Sequence, residues 1–154
     1  PEAQLDRFMF NVLIDYPTFE EEKNIVKANT TFQDYTINNV IKKEELLEYQ
    51  ALVINVPVSD NVIDFAVNFV HNTRPTDASP DITKKYIDWG AGPRASSFLV
   101  LAAKTKAILS GKATPDIDDI KSIIKPVLRH RIILNFNAEA EGIKTDDILD
   151  ELLK

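Results

Sequence analysis

The sequence predicts a mainly α-helical protein, a bundle of five or six helices preceded by one strand, and three observations predict it. Apolar residues recur at helical spacing, as with Val62, Ala66, Phe69 and Val70 at i, i+4, i+7 and i+8. Capping residues and prolines punctuate these stretches where helices would begin and end. A single short apolar segment, Met9 to Ile14, stands before them with no obvious strand to pair with.

The elements follow in order. PEAQLDRF, residues 1–8, opens the chain without a methionine or a start-like leader and reads as a fragment boundary. Met9–Ile14 then suits a buried strand, which Asp15-Tyr-Pro17 ends, because proline cannot donate to a ladder and pushes its predecessor toward extended backbone. A lone strand cannot satisfy its own backbone groups, so it is expected to belong to a sheet in an upstream domain. Thr18 with Glu21 forms a capping-box pattern and predicts a helix over about 18–29, with Ile25 and Val26 as its buried stripe. Lys43-Glu-Glu-Leu-Leu47 opens a second helix that stops near Val56-Pro57. Ser59 or Asp60 caps a third, which carries the Val62 face and ends before Pro75.

Residues 75–83 read as a turn-rich loop, and Tyr86-Ile-Asp-Trp89 leads into Gly90-Ala-Gly-Pro93. Pro93 suits the first position of a fourth helix, since its missing N–H would be unpaired anyway, and Gly92 is acceptable as its N-cap. Phe98, Leu101, Ala102, Ile108 and Leu109 make that helix's apolar face as far as Gly111. Thr114-Pro-Asp116 starts a fifth helix carrying Ile117, Ile120, Ile124, Val127 and Leu128, which Pro126 should kink or end a turn early. Arg131–Phe136 fits either a short extended exit or the tail of that helix. Thr145-Asp-Asp caps a last helix with Ile148, Leu149, Leu152 and Leu153 apolar.

With 44% hydrophobic and 27% charged residues, the chain of 154 residues has the composition of a soluble globular protein. It shows no targeting region and no run of the roughly 20 apolar residues that would span a membrane, so a cytoplasmic location is expected. The absence of cysteine excludes disulfides and thiolate catalysis, and two histidines far apart, His71 and His130, give no basis for a metal site. A net charge of −6 argues against nucleic acid as a partner. The charge is unevenly spread: residues 1–76 carry six basic and twelve acidic side chains, whereas 84–131 carry ten basic and four acidic. A local basic zone of this kind fits either a phosphate site or a set of solvated lysines.

No phosphate-binding G-x-x-x-x-G-K-[ST] loop, nucleophile elbow, H-E-x-x-H or G-x-G-x-x-G occurs, so this stretch is not expected to catalyse alone. Two arginines stand where phosphate chemistry would use them. Arg94 is the second residue of the helix opened by Gly92-Pro93, beside free amides and the positive end of the helix dipole, where an arginine is normally disfavoured unless an anion is recruited. A surface ion pair with Asp88 or another nearby carboxylate would also explain it. Arg7 sits at the end of a short helix or turn just before the apolar segment, with a surface pair to Asp6 as the alternative.

Three motifs carry a resemblance. PEAQLDRF resembles an arginine-finger segment, Gly90-Ala-Gly-Pro-Arg-Ala95 resembles a sensor 2 motif, and Val127-Leu-Arg-His-Arg-Ile132 is similar to the signature that closes the lid, all in the order found in MoxR-type AAA+ ATPases. The resemblance implies a fragment of two parts: residues 1–17 as the end of an α/β P-loop core, with the strand belonging to that core, and 18–154 as the helical lid. It further implies ATP and Mg2+ as cofactors, held mainly by the upstream core, and a ring-like homo-oligomer, a hexamer by family pattern, that remodels a client protein. Arg7 would be the finger acting in a neighbouring subunit; Arg94, with Gly92 and Pro93, would contact nucleotide in its own. The chain departs from the usual pattern at Gly92, where serine is common, and at Lys112, where arginine often stands. His130 lies inside the third motif but reads as a packed or hydrogen-bonded residue at a helix end. Trp89 and Tyr86 would either border the nucleotide or pack in the core. A helical adaptor without ATPase activity is the alternative function.

Overall fold

The computed structural model describes residues 2–32 and 36–154. Pro1, the first residue of the finger-like segment, lies outside the described residues. The elements are α1 (Glu2–Leu5), α2 (Phe19–Thr30), α3 (Lys43–Asn55), α4 (Asp60–Asn72), α5 (Asp81–Tyr86), β1 (Ile87–Trp89), α6 (Pro93–Leu109), α7 (Ile117–Leu128), β2 (Ile133–Leu134), α8 (Phe136–Glu141) and α9 (Thr145–Leu152). The six helices expected from the sequence are α2, α3, α4, α6, α7 and α9.

Local chemistry sets most boundaries. Thr18 and Glu21 close a full capping box at the start of α2: the Thr18 amide donates to the Glu21 carboxylate at 2.8 Å, and the Glu21 amide to the Thr18 hydroxyl at 3.4 Å. Asp116 and Asp119 do the same for α7, at 2.9 and 3.0 Å, and the Lys112 ammonium reaches both carboxylates, at 2.8 and 3.1 Å. The lysine that departs from the family pattern thus neutralises a cap whose Asp119 is buried. Pro126 lies within α7, which runs on to Leu128; the expected early end does not occur, because proline so near the C-terminus disturbs only the final turn.

The core forms where α4, α6, α7 and α9 meet. Val62, Ala66, Phe69 and Val70 of α4, and Ile120, Ile124, Val127 and Leu128 of α7, are all buried, as their spacing predicts. Leu99, Ile148 and Leu149 join them at full burial, each such side chain contributing about 1.5–3 kcal/mol. The buried stripe of α6 matches the expected one only at Ala102. Ala95, Leu99, Ala102, Ala103 and Ala107 face the core, Phe98, Leu101 and Ile108 are half-buried, and Leu109 is 83% exposed. Alanines and larger apolar residues surround this helix on most sides, so apolar spacing alone does not select the inner face; close approach of α4 and α7 selects the alanines.

Three further expectations are corrected. Ile25 and Val26 do not form a buried stripe: they are 49% and 54% exposed, and neither α2 nor α3 holds a buried residue. Met9–Ile14 is not the expected buried strand: Met9 lies in a bend, the segment joins no ladder among the described residues, and Phe10, Val12, Leu13 and Ile14 are exposed. The one ladder among the described residues pairs β1 with β2, antiparallel, with Ile87 opposite Leu134 and an irregularity before Trp89, which decides for an extended exit after α7. The loop expected over 75–83 gives way to α5 at Asp81. Among the described residues no single helix is long and apolar enough to cross a membrane. α3 and α4 together pass that test by length and composition, but they bend by 91°, and α4 spends its apolar face on the core.

The turn ahead of α6 is pinned to the end of α4. The buried Thr73 hydroxyl accepts from the Ala91 amide at 3.0 Å and donates to the Val70 carbonyl, while the Arg74 guanidinium donates to the Ala91 carbonyl at 2.9 Å. A Cβ at Gly90 would lie 2.4 Å from the Thr73 carbonyl oxygen, whereas one at Gly92 would meet nothing within 4 Å. Gly90→Ala is therefore expected to destabilise the protein by about 1–3 kcal/mol through backbone overpacking. Gly92→Ser, in the extended conformation of an N-cap, should stabilise it by a few tenths of a kcal/mol; denaturant unfolding of both variants checks the pair.

Candidate functional site

Asp6 and the triplet Arg129-His130-Arg131 organise the site. The Arg131 side chain, 1% exposed, runs beneath the turn that follows α1. Its Nε donates to Asp6 Oδ1 at 3.0 Å and its Nη2 to the Asp6 carbonyl at 3.0 Å; its terminal nitrogens also donate to the carbonyls of Phe8, Met9 and Val127. The guanidinium plane lies over the Phe98 ring, 5.1 Å from its centroid. His130 Nε2 lies 3.0 Å from the Phe8 carbonyl, and Arg129 grips the Asp146 carboxylate at 3.0 and 3.2 Å while donating to the Asn11 carbonyl. The Asn11 amide completes the seam by donating to the Pro126 carbonyl at 2.8 Å. The third motif is thus a clamp that binds residues 6–11 to the helical bundle.

The other oxygen of Asp6 holds Arg94. Arg94 Nη1 lies 2.5 Å from Asp6 Oδ2, with the arginine side chain half exposed. An acidic partner is present, as one alternative expected, but it is neither Asp88 nor any sequence neighbour: it stands 88 residues away. Pro93 takes the first position of α6 and Gly92 its N-cap, both as expected, leaving the first amides without a side-chain cap. Arg7 follows Asp6 directly, is exposed, and makes no ion pair among the described residues, so the expected pair with Asp6 is absent. Asp6 is occupied by the two other arginines.

A cleft of about 510 Å³ opens at this junction, lined by Asp6, Asp88, Trp89, Gly92, His130 and Arg131. A second, of about 410 Å³, lies across the turn against Arg74, Pro75 and Pro93, with Trp89 bordering both. Trp89 is 69% exposed, which removes it from the core and leaves it at the rim of both clefts. Tyr86 instead packs on the bundle and donates its hydroxyl to Glu141 at 2.7 Å. Asp6, Arg129 and Arg131 are the site residues that sequence reasoning passed over as site-formers. The density of arginine in Arg129-His130-Arg131, just past the C-terminus of the amphipathic α7, is the signal for two of them.

With this geometry in place, the comparisons with known proteins fall into line. Residues 80–152 match the AAA lid domain. The whole chain is 31% identical to Chaperone MoxR1 of Mycobacterium tuberculosis, and 99% of it is 32% identical to the uncharacterized protein YeaC of Bacillus subtilis. The chain is of the MoxR-type AAA+ family. It spans 41% and 46% of the lengths of these two relatives, under half of each. A solved structure of a Cytophaga hutchinsonii protein named “putative ATPase” superposes with a TM-score of 0.88 at 32% identity, covering 99% of this chain and 47% of that one. The MoxR-type lid is therefore built here on the mainly helical fold that the sequence predicts.

Two predictions follow from the clamp. Arg131→Met leaves the Asp6 carboxylate and four carbonyls without their donor, and should cost about 3 kcal/mol of unfolding free energy; calorimetry against wild type measures it. His130 Nδ1 is buried without a partner, and burial, together with the positive Arg131 and Arg129, holds the imidazole pKa below its ordinary value. The unfolded imidazole titrates near about 6.5, so on acidification the unfolded chain takes up the proton first and stability falls. His130→Gln, which keeps a donor for the Phe8 carbonyl, should lose less of its melting temperature between about pH 7 and pH 5, a range that spans that value, than wild type does; equal losses would remove His130 from the account.

Proposed function

We propose that this chain supplies two arginines to ATP hydrolysis in a cytoplasmic, ring-forming, hexameric MoxR-type protein that remodels a client protein. Arg94, positioned by Gly92 and Pro93, contacts nucleotide bound by its own subunit; Arg7 is the finger presented to nucleotide bound by a neighbour. The observation that carries this reading is the Asp6–Arg94 contact, which joins the finger segment to the start of α6 at one cleft across 88 residues of sequence.

The chemistry of the donor set fits a nucleotide's phosphates. The first amides of α6 have no side-chain cap, the helix dipole is positive there, and Arg94 adds a permanently charged, planar fork suited to phosphate oxygens. Arg7 is exposed, as a residue reaching another subunit must be, and charge of this kind beside a transferring phosphoryl group raises its rate by about 10³–10⁵. Bound ATP with Mg2+ supplies the phosphoryl group that is cleaved. As the family resemblance implies, Mg2+ is held mainly by an upstream core rather than by these residues. The exposed apolar residues of α2, α3 and the 8–16 stretch give the lid a surface to set against that part. This chain alone is therefore expected to show no turnover. The adaptor reading explains the amphipathic helices but leaves the junction of the two arginine motifs without a purpose.

Variants of the full-length oligomer test the assignment. Arg7→Ala should lower kcat by about 10³ while leaving nucleotide affinity near wild type. Arg94→Ala should weaken nucleotide binding. Rings mixed from Arg7→Ala subunits and subunits unable to bind ATP should recover part of the activity that each lacks alone, since the finger acts across the interface. Unchanged hydrolysis in both single variants, with rings intact, would refute the roles.

A further inference from the structure

The Asp6 carboxylate is shared between two arginines in unlike surroundings. Oδ1 is bound by Arg131, whose side chain is 1% exposed and fixed by further bonds to backbone carbonyls. Oδ2 is bound by Arg94 at 2.5 Å, a side chain 50% exposed whose only polar partner among the described residues is this oxygen. One half of Asp6 is thus structural and the other faces solvent. Asp6 also lines the larger cleft, beside the uncapped start of α6.

We propose that Asp6 is a positioning residue that acts as an anionic placeholder for phosphate. In the nucleotide-free subunit its Oδ2 occupies the Arg94 guanidinium and holds it at the mouth of the cleft, and a phosphate group must displace that oxygen to engage Arg94. This inference rests on the assignment of Arg94 as a nucleotide contact. The competition is electrostatic: a guanidinium has a fixed number of forked donors, and a carboxylate and a phosphate call on the same ones. Arg131 keeps Asp6 in place when Arg94 leaves, so the exchange costs the fold little. Because Asp6 precedes Arg7, the chain segment that senses this exchange is the one that carries the finger.

Asp6→Asn separates the two halves. The amide can present its oxygen to Arg131 and its NH2 to Arg94, which has no acceptor to offer, so the structural contact survives and the placeholder is lost. A non-hydrolysable ATP analogue is titrated into full-length wild type, Asp6→Asn, Arg94→Ala and the double variant, with melting temperatures recorded alongside. Asp6→Asn should bind the analogue about two- to five-fold more tightly, the scale of a half-exposed ion pair. That gain should vanish in the Arg94→Ala background, where a purely structural effect transmitted through Arg131 would persist. Affinity in Asp6→Asn that is unchanged or weaker, or a gain that persists without Arg94, overturns the placeholder while Arg94→Ala still binds weakly. If Arg94→Ala binds like wild type, it is the assignment of Arg94 that fails. Should Asp6→Asn not assemble, Asp6→Ser, which retains an acceptor for Arg131, takes its place with the same outcomes.

Discussion

The arrangement depends on one buried guanidinium. Arg131 sits at the end of α7 with almost no exposure, and a charge taken from water there is stable only if its donors are spent on well-placed acceptors. The bundle supplies one of these, the Val127 carbonyl; the others come from Asp6, Phe8 and Met9. The charge therefore obliges the N-terminal segment to lie where it does. Arg129 and His130 reinforce the same seam from either side, through the carbonyls of Asn11 and Phe8. Without Arg131 the segment of residues 6–11 would have only an exposed turn and a few other contacts to hold it.

The clamp also explains how motifs at the two ends of the chain come to share one place. Each is unremarkable alone: an acidic residue before an arginine, an arginine in the first turn of a helix, a basic triplet after an apolar one. Arg131 fixes Asp6, and Asp6 in turn reaches Arg94, so that two positive groups meet across one carboxylate. The pinned turn of Gly90 and Ala91 against Thr73 fixes the other side, since the backbone of Thr73 and Arg74 leaves no room for a side chain at Gly90 and the Thr73 hydroxyl holds the Ala91 amide. The result is a cleft whose walls come from the first residues, the α6 turn and the end of α7.

Much of this was legible in the sequence, for particular reasons. Caps announce themselves locally, so Thr18–Glu21, Pro93 and Asp116 located α2, α6 and α7 closely. The faces of α4 and α7 were legible because their buried residues recur at helical spacing, although α4 also leaves Ile63 and Val67 exposed. What escaped were features decided by partners distant in the chain. The ladder between β1 and β2 spans so few residues that no periodicity develops, and α5 and α8, of six residues each, are shorter than two turns. The amphipathic pattern of α2 told which face is apolar but not what covers it, and nothing among the described residues does. Asp6 was read as a neighbour of Arg7 because sequence adjacency is visible and an 88-residue contact is not.

The alanine stripe of α6 has a mechanical meaning. Ala95, Ala102, Ala103 and Ala107 have no rotamers to change, so this side of the helix cannot adjust by side-chain repacking, and α6 moves against α4 and α7 as a rod or not at all. Its 17 residues make that rod about 25 Å long. A tilt of about 5° imposed at Pro93 would displace the exposed tip at Leu109 by about 2 Å over that length. A small event at the arginine end is geometrically amplified at the opposite end of the lid.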